Sequence, residues 1–392
     1  MGRNTARLLA AAVAITALCA AVSAQDQQGL VFSGYGKSGL LWTQVREQGK
    51  DDVVGEEVRL GSKDDAGSLQ GRFRLDLDYV KGGMGMKTRV QWENWTDTKP
   101  DWSYAFAYGN FFNDQLTVSV GKLGSSPWGT GGPEMWKELE TGSGGGMRTE
   151  IKPSGAPGLN FGFILNYFDD GRDQGAPKRD LTLMDILQES VLGFSYAHDL
   201  FLVRFAYRFD GEMDMIAGNT MARDGEDSLL YRIEERALGK LLPGFQIWAL
   251  GYFRALFVED KSCQLLQNWL FFQYDPKDFT AQVRFGLDVC DKRNVLHIRP
   301  SFYWKFFNNL LNVGVMAWYG QDFGEGKMYE GSPFQFVEVE PKIQFNMGNS
   351  SYIAFAYNWR REYLHEYEDS VKAGVEPVRQ TQWMNLRFCM QL

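Results

Sequence analysis

From residue 72 the sequence sets a polar, mostly charged side chain at every second position: Arg72, Arg74, Asp76 and Asp78, then, after a short break, Lys87, Arg89, Gln91 and Glu93. A spacing of two brings side chains to one face of an extended strand, so each run is a line of charge. The chemistry such lines perform is selection, because fixed charges along a wet wall attract one class of solute and repel another. Bond-making chemistry has little support. Only His198, His297 and His365 supply imidazoles, no Gly-x-Ser-x-Gly nucleophile motif occurs, and no triad is suggested. Four cysteines, one of them at Cys19, are too few and too scattered for a metal site or a disulfide framework. No enzymatic activity, metal or cofactor is expected.

Strands must carry these lines, and the apolar residues between the charges show them. Gly71, Phe73, Leu75, Leu77 and Tyr79 oppose the first line, and Met84, Met86, Thr88, Val90 and Trp92 oppose the second, with Lys81-Gly82-Gly83 as a tight turn between them. Phe201, Val203, Phe205, Tyr207 and Phe209 stand against Arg204 and Arg208, and Phe279, Ala281, Val283, Phe285 and Leu287 against Thr280, Gln282, Arg284 and Asp288. Segments of about ten alternating residues, each followed by a break, are the pattern of a transmembrane β-barrel. A soluble sandwich or barrel also alternates, but its inner face is apolar. Here one face of strand after strand carries Arg, Lys, Asp and Glu, which suits a wet lumen.

The segments number about eighteen, with sixteen as the alternative; both are even, as single-chain barrels require. Short breaks (Asn113-Asp114, His198-Asp199, Pro243-Gly244, Asp275 to Asp278, Asn308-Asn309, Gly348-Asn349) alternate with long polar ones, including Gln44 to Gly67, Leu123 to Gly145 and Gln321 to Pro333. Short turns belong on the periplasmic side and long loops outside, so both ends lie in the periplasm and the first strand closes on the last. The fold class is therefore all-β, an antiparallel transmembrane barrel over residues 25–392.

Residues 1–24 read as a signal peptide: Arg3 and Arg7, an apolar stretch from Leu8 to Ala20, and small residues at Val22-Ser23-Ala24. With those two arginines removed, the net charge moves from −8 to −10, which disfavours nucleic acid as a partner. Aromatics at 15%, with 43 Gly and only 12 Pro, fit many strands with interfacial aromatic belts. Export to the outer membrane of a diderm bacterium, in contact with outer-membrane lipid, follows as the expectation.

Alternation assigns the lumen-facing residues. Tyr35 and Lys37 lie on the first strand, Arg72 and Arg74 on the second, Lys87 and Arg89 on the third, and Arg387 on the last, a basic ladder interrupted by Asp76, Asp78 and Glu93. Farther round, Arg204, Arg208, Arg284 and Arg299 add positive charge, while Glu338 and Glu340 with Lys342 make a mixed patch. The third external loop, with Pro133, Glu134, Glu138 and Glu140, has two readings. Folded back into the lumen, its acids would face the ladder across a constriction; left outside, it is an ordinary solvated loop. Cys263 and Cys290 fall in consecutive predicted external loops, close enough to pair as a disulfide, with two separate thiols as the alternative.

The run Phe32-Ser33-Gly34-Tyr35-Gly36-Lys37-Ser38-Gly39 resembles the opening of the mature maltoporin family of eighteen-stranded sugar channels. This resemblance implies a passive channel for small hydrophilic solutes, carbohydrates among them, with Tyr35 stacking on a sugar face and Lys37 meeting its hydroxyls. The final amphipathic strand resembles the signal read by the outer-membrane assembly machinery, with Leu392 where an aromatic is usual. Pro133-Glu134 resembles a dipeptide of general porins, and a homotrimer is the assembly this resemblance implies. Trp95, Trp269 and Trp383 have lumen parity and are either stacking surfaces or belt residues. The rival reading is a structural or adhesive barrel whose loops bind other surfaces.

Overall fold

The structure is a computed structural model that describes residues 29–47, 53–60, 62–64, 67–69, 72–92, 101–123, 127–129, 145–166, 190–209, 227–254, 265–290, 293–324, 333–348, 350–364 and 378–391. Eighteen antiparallel strands form a closed barrel. In chain order they are β1 (Leu30–Glu47), β2 (Arg72–Lys81), β3 (Met84–Trp92), β4 (Asp101–Phe111), β5 (Leu116–Lys122), β6 (Gly145–Ile151), β7 (Leu159–Asn166), β8 (Val191–Ala197) and β9 (Phe201–Arg208). The second half comprises β10 (Ser228–Glu235), β11 (Phe245–Arg254), β12 (Leu265–Tyr274), β13 (Phe279–Cys290), β14 (Arg293–Phe306), β15 (Leu311–Asp322), β16 (Pro333–Gly348), β17 (Ser351–Leu364) and β18 (Val378–Gln391). Closure comes from β1, which pairs with β2 from Leu30↔Tyr79 to Lys37↔Arg72 and with β18 from Tyr35↔Gln391 to Glu47↔Arg379. No wall edge is left unpaired, which a sheet facing hydrocarbon requires.

Side-chain exposure follows the alternation. Phe194, Leu270, Phe285, Trp304, Phe345, Phe355, Met384 and Phe388 stand exposed on the outside. Their neighbours Ser195, Trp269, Arg299, Glu338, Asn358 and Arg387 point inward and are buried. Among the described residues no helix is long and apolar enough to cross a membrane. The strands and their outer apolar surface are what would meet lipid.

The first external connection departs from the expected plain loop. Strand β1 continues to Glu47, and its upper half pairs with the strand Val53–Leu60, Trp42 Nε1 donating to Glu56 Oε1 at 2.8 Å. At the short-turn end of the barrel, Gly82 and Gly83 turn between β2 and β3 at φ +59° and +81°, which only glycine adopts freely. Two other turns, Phe112-Asn113-Asp114 and Phe307-Asn308-Asn309, each run through three consecutive left-handed residues. Two connections have features the sequence pattern did not show: a turn over 152–158 between β6 and β7, and the short helix α1 (Ala237–Leu241) before Pro243-Gly244.

Pro300 sits inside β14 on the outward face. Its ring removes a donor, and the ladder with β15 skips from Ile298↔Tyr319 to Ser301↔Met316, while pairing with β13 runs through it unbroken. Cys290 is the last residue of β13 and does not lie in an external loop as expected; its strand partner is Leu265 of β12. Extending the strand places it in the ladder because Val289 and Cys290 still find partners in Asn294 and Arg293. Cys263 lies outside the described residues.

The turn between β12 and β13 is held by Asp275, which accepts from the Thr280 hydroxyl and from Lys305 Nζ; Lys305 also reaches the Pro276 carbonyl at 3.0 Å. Partial burial works to raise the carboxyl pKa, but the hydrogen bonds from Lys305 and Thr280 outweigh it and hold Asp275 below its ordinary value. A carboxylate depressed on folding contributes stability that is fully present above its unfolded pKa of about 3.9 and is lost as pH falls through the lower folded value. Asp275→Asn is therefore expected to lower the denaturation midpoint at neutral pH. The gap from wild type should shrink as pH falls through the lowered folded value. A gap independent of pH would show that the carboxylate charge does not hold this turn.

Candidate functional site

In the sector β1–β3 the basic ladder is assembled, and Lys87 and Arg89 are each met by an acid. Arg89 grips Asp76 with two hydrogen bonds, Nε at 2.6 Å and Nη2 at 3.2 Å, and lies over the Tyr104 ring at 4.9 Å. Tyr104 donates its own hydroxyl to Asp76 at 3.0 Å. Lys87 stands 3.7 Å from Asp78. Arg74 donates to Gln91 at 2.9 Å and covers the Tyr35 ring at 5.1 Å. Arg72 lies opposite Lys37 in the ladder. Adjacent strands in register thus bring each acid beside a base, a lattice of cross-strand pairs in place of a free positive stripe. Glu93 lies outside the described residues, as does Trp95.

A second sector is filled from within. Of the third external connection, residues 127–129 are described, and they lie against the inner wall. Trp128 is 0% exposed, packed among Phe106 of β4, Leu123, Ile164 of β7, Val191 of β8 and Ala206 of β9. The socket exists because Gly162 and Gly193 face each other across β7 and β8. A Cβ on Gly193 would sit 1.9 Å from two atoms of the indole. Arg204 Nη1 donates to the Gly129 carbonyl at 3.3 Å, so this arginine secures the segment. Arg208 lies higher on the same face of β9, its Nε buried with no hydrogen-bond partner among the described residues. Pro133, Glu134, Glu138 and Glu140 lie outside the described residues.

The third sector, β12 to β18, holds a layered network. His297 is stacked on Trp269 with ring centroids 5.3 Å apart. Its Nδ1 accepts from Trp318 Nε1 at 3.3 Å, which fixes the tautomer with the proton on Nε2, facing Asp288 Oδ2 at 3.3 Å. Both nitrogens are occupied by wall residues. Arg360 bridges Glu338 at 3.2 Å and Glu362 at 2.7 Å and lies 4.2 Å above the Phe336 ring. Glu338 also accepts from Asn358 at 2.6 Å, and Glu362 from Arg379 at 2.5 Å. Trp269 and Trp383, which parity offered as stacking surfaces, are both buried, so their faces pack within the wall.

Below this network, toward the short-turn end of the barrel, these strands and β1 line a polar cavity of about 220 Å³. Lys37, Arg284, Arg299, Glu340 and Arg387, five of the residues expected on the lumen side, converge on it from β1, β13, β14, β16 and β18. Lys342 joins them, its Nζ 5.9 Å over the Tyr303 ring. Arg284 lies 5.5 Å over Phe271 and Arg299 4.9 Å over Trp318, so aromatic faces fix both guanidinium groups. Arg387 reaches Glu340 only at 3.7 Å.

Phe271, Trp318, Phe336 and Trp128 carry much of this arrangement and were missed by sequence reasoning. The Gly162↔Gly193 pair is the signal that was available for Trp128, since two facing glycines on an inner face leave a hole that something must fill.

No protein-family profile and no curated protein matches the sequence. Solved structures do match in fold. OpdQ of Pseudomonas aeruginosa superposes with a TM-score of 0.51 at 8% identity, over 92% of this chain and 98% of that one. The outer membrane channel DcaP of Acinetobacter baumannii gives 0.49 at 7% identity, over 92% and 97%. A loop L8 deletion mutant of OmpT, an outer membrane protein of Vibrio cholerae, gives 0.47 at 11% identity, over 93% and 100%.

Proposed function

We propose that this chain is an outer-membrane porin, a passive channel for small hydrophilic solutes that is exported by a signal peptide at residues 1–24. One observation carries the reading: a closed wall, apolar outside, encloses a cavity lined by lysine, arginine and carboxylate side chains. Such a wall is stable where its outside meets lipid and its inside meets water. Reconstitution into planar bilayers tests it. Stepwise, ohmic conductance is the expected result, and a barrel that inserts without passing current would remove the proposal in favour of an adhesive or structural role.

The finer assignment is carbohydrate passage, supported by the Tyr35 and Lys37 motif. With Trp269 and Trp383 buried, Tyr35 is left to offer a stacking face, and Arg74 already covers one side of it. Maltose or longer glucans should reduce the current if this holds, and their indifference would leave a general channel. A homotrimer in outer-membrane lipid, delivered by the assembly machinery, and a Cys263–Cys290 disulfide belong to the same proposal. Mass spectrometry of unreduced peptides decides the last, a free Cys263 counting against it.

Charge gives a further expected outcome. Replacing Arg72, Arg74 and Arg89 together by Gln leaves Asp76 without its arginine, with the Tyr104 hydroxyl as its remaining donor, and selectivity should shift toward cations. A reversal potential under a salt gradient equal to that of the wild type would show that these arginines lie away from the conducting path.

A further inference from the structure

We infer that the outer wall at the long-loop end of β17, β18 and β1 carries a binding site for the phosphate-bearing headgroup of a lipid; this rests on the reading of the barrel as membrane-spanning. Three neighbouring strands change character there in register. On the outward face β17 passes from Trp359 to Arg361, β18 from Met384 to Gln382 and Gln380, and β1 from Trp42 to Gln44 and Arg46. Pairing sets Arg361, Gln380 and Arg46 side by side in one row, above a row of Trp359, Gln382 and Gln44. Three separate stretches of sequence thus end their apolar face at one height. That height is the surface of a membrane. Arg361 lies ten residues beyond Ser351, where β17 begins. At about 3.3 Å per residue and a tilt of about 40° the rise is about 25 Å, the depth of a barrel's apolar band.

Charge at that level selects the partner. Arg361 and Arg46 stand two strands apart on the same face, about 10 Å between Cα atoms, with the Gln380 amide between them. Two guanidinium groups at that spacing can close on one phosphate from both sides, and their planar forks match its oxygens. Arg361 does not reach out into water. It is half-buried, its guanidinium lies 5.2 Å over the Tyr363 ring, and its Nε is buried with no hydrogen-bond partner among the described residues. A guanidinium laid on a ring keeps its N–H groups directed sideways, where an acceptor arriving along the wall would meet them. Arg46 is exposed. An acid on this face, Glu56 of the strand Val53–Leu60, lies one row nearer the hydrocarbon and accepts from Trp42 Nε1 at 2.8 Å. Cations at the edge of the apolar band gain from an anionic headgroup and lose against hydrocarbon, so a phosphate in this row is the partner that the wall fits.

The test uses the full-length protein folded in detergent. Native mass spectrometry reads retention of lipid A carrying two phosphates and of its dephosphorylated form, and calorimetric titration reads binding of inorganic phosphate. Saturable retention of the phosphorylated lipid, weakened by roughly tenfold in Arg361→Gln and in Arg46→Gln as expected for loss of a charged hydrogen bond, is the supporting result. Arg361→Lys keeps the charge and should recover part of the loss. Because Arg46 is exposed, its removal leaves the wall undisturbed, and the site can be judged on that variant if those of Arg361 fold poorly. Lys81→Gln, an exposed cation at the short-turn end, is the control with unchanged retention. Equal retention of the dephosphorylated lipid, or of the phosphorylated one by the double Arg46→Gln, Arg361→Gln variant, overturns the site. Inorganic phosphate bound as tightly as the lipid overturns it too. Conductance of the same preparations in planar bilayers separates this from the channel: current without bound lipid overturns the site alone, and bound lipid without current overturns the channel alone.

Discussion

Gly193→Val is expected to open the channel. A side chain at this position would begin 1.9 Å from the Trp128 indole, so ring and wall cannot both keep their places. The wall strands β7 and β8 are tied by a full ladder of backbone hydrogen bonds, whereas the tryptophan belongs to a connecting segment. The segment should therefore leave its socket. Trp128→Ala reaches the same state from the other side by removing a fully buried indole, at a stability loss of about 3–5 kcal/mol. Both variants are expected to raise single-channel conductance by at least about twofold, as the open cross-section grows. Arg204→Gln, which removes the tether to the Gly129 carbonyl, should have a smaller effect in the same direction. Unchanged conductance in both Gly193→Val and Trp128→Ala would show that the segment does not narrow the path.

An equally large loss of stability is expected from Arg360→Leu. This guanidinium sits between Glu338 and Glu362, both buried, and rests on Phe336. Removing it leaves two buried carboxylates, one with Asn358 and the other with Arg379 as remaining partners. Breaking a buried pair by deleting one member costs about 3–5 kcal/mol, because the surviving charge keeps its desolvation cost and loses its compensation. A reduced urea midpoint in refolding experiments is the readout. The triple change with Glu338→Gln and Glu362→Gln should recover much of the loss, and an Arg360→Leu midpoint within error of wild type would mean that water reaches these carboxylates freely.

How much of this was legible in the sequence varies with the contrast between the two faces of each strand. Over Arg72 to Tyr79 in β2 charged and apolar residues alternate strictly, and over most of β3 polar and apolar ones do, so Arg72, Arg74, Lys87 and Arg89 could be placed inside from parity alone. In β11 and β12 both faces are apolar. Trp248, Leu250 and Tyr252 point inward while Ile247, Ala249 and Phe253 point outward, so a period of two is invisible in hydropathy. The inner face is apolar there because aromatic side chains stack among themselves, Trp248 lying parallel to the buried Phe271 at 4.8 Å. Trp128 was hidden for a different reason. A tryptophan in a loop has no periodic neighbours to give it a direction, and only the paired glycines on distant strands mark where it goes. The pairing of Arg89 with Asp76 was likewise beyond parity, which places two residues on one face but does not fix which cross-strand partners meet.

The cross-strand pairs of the lumen also bear on how such a wall finds its register. Slipping β2 by one residue against its neighbours would turn Arg72, Arg74, Asp76 and Asp78 outward together and bring Phe73, Leu75 and Leu77 inward. In a bilayer each outward arginine near the midplane costs about 2–4 kcal/mol, and the lost partners Arg89 and Lys87 would add their own penalty. Mispaired intermediates are thus penalised strand by strand during insertion, and side chains that tune passage in the finished barrel would act earlier as its proofreading.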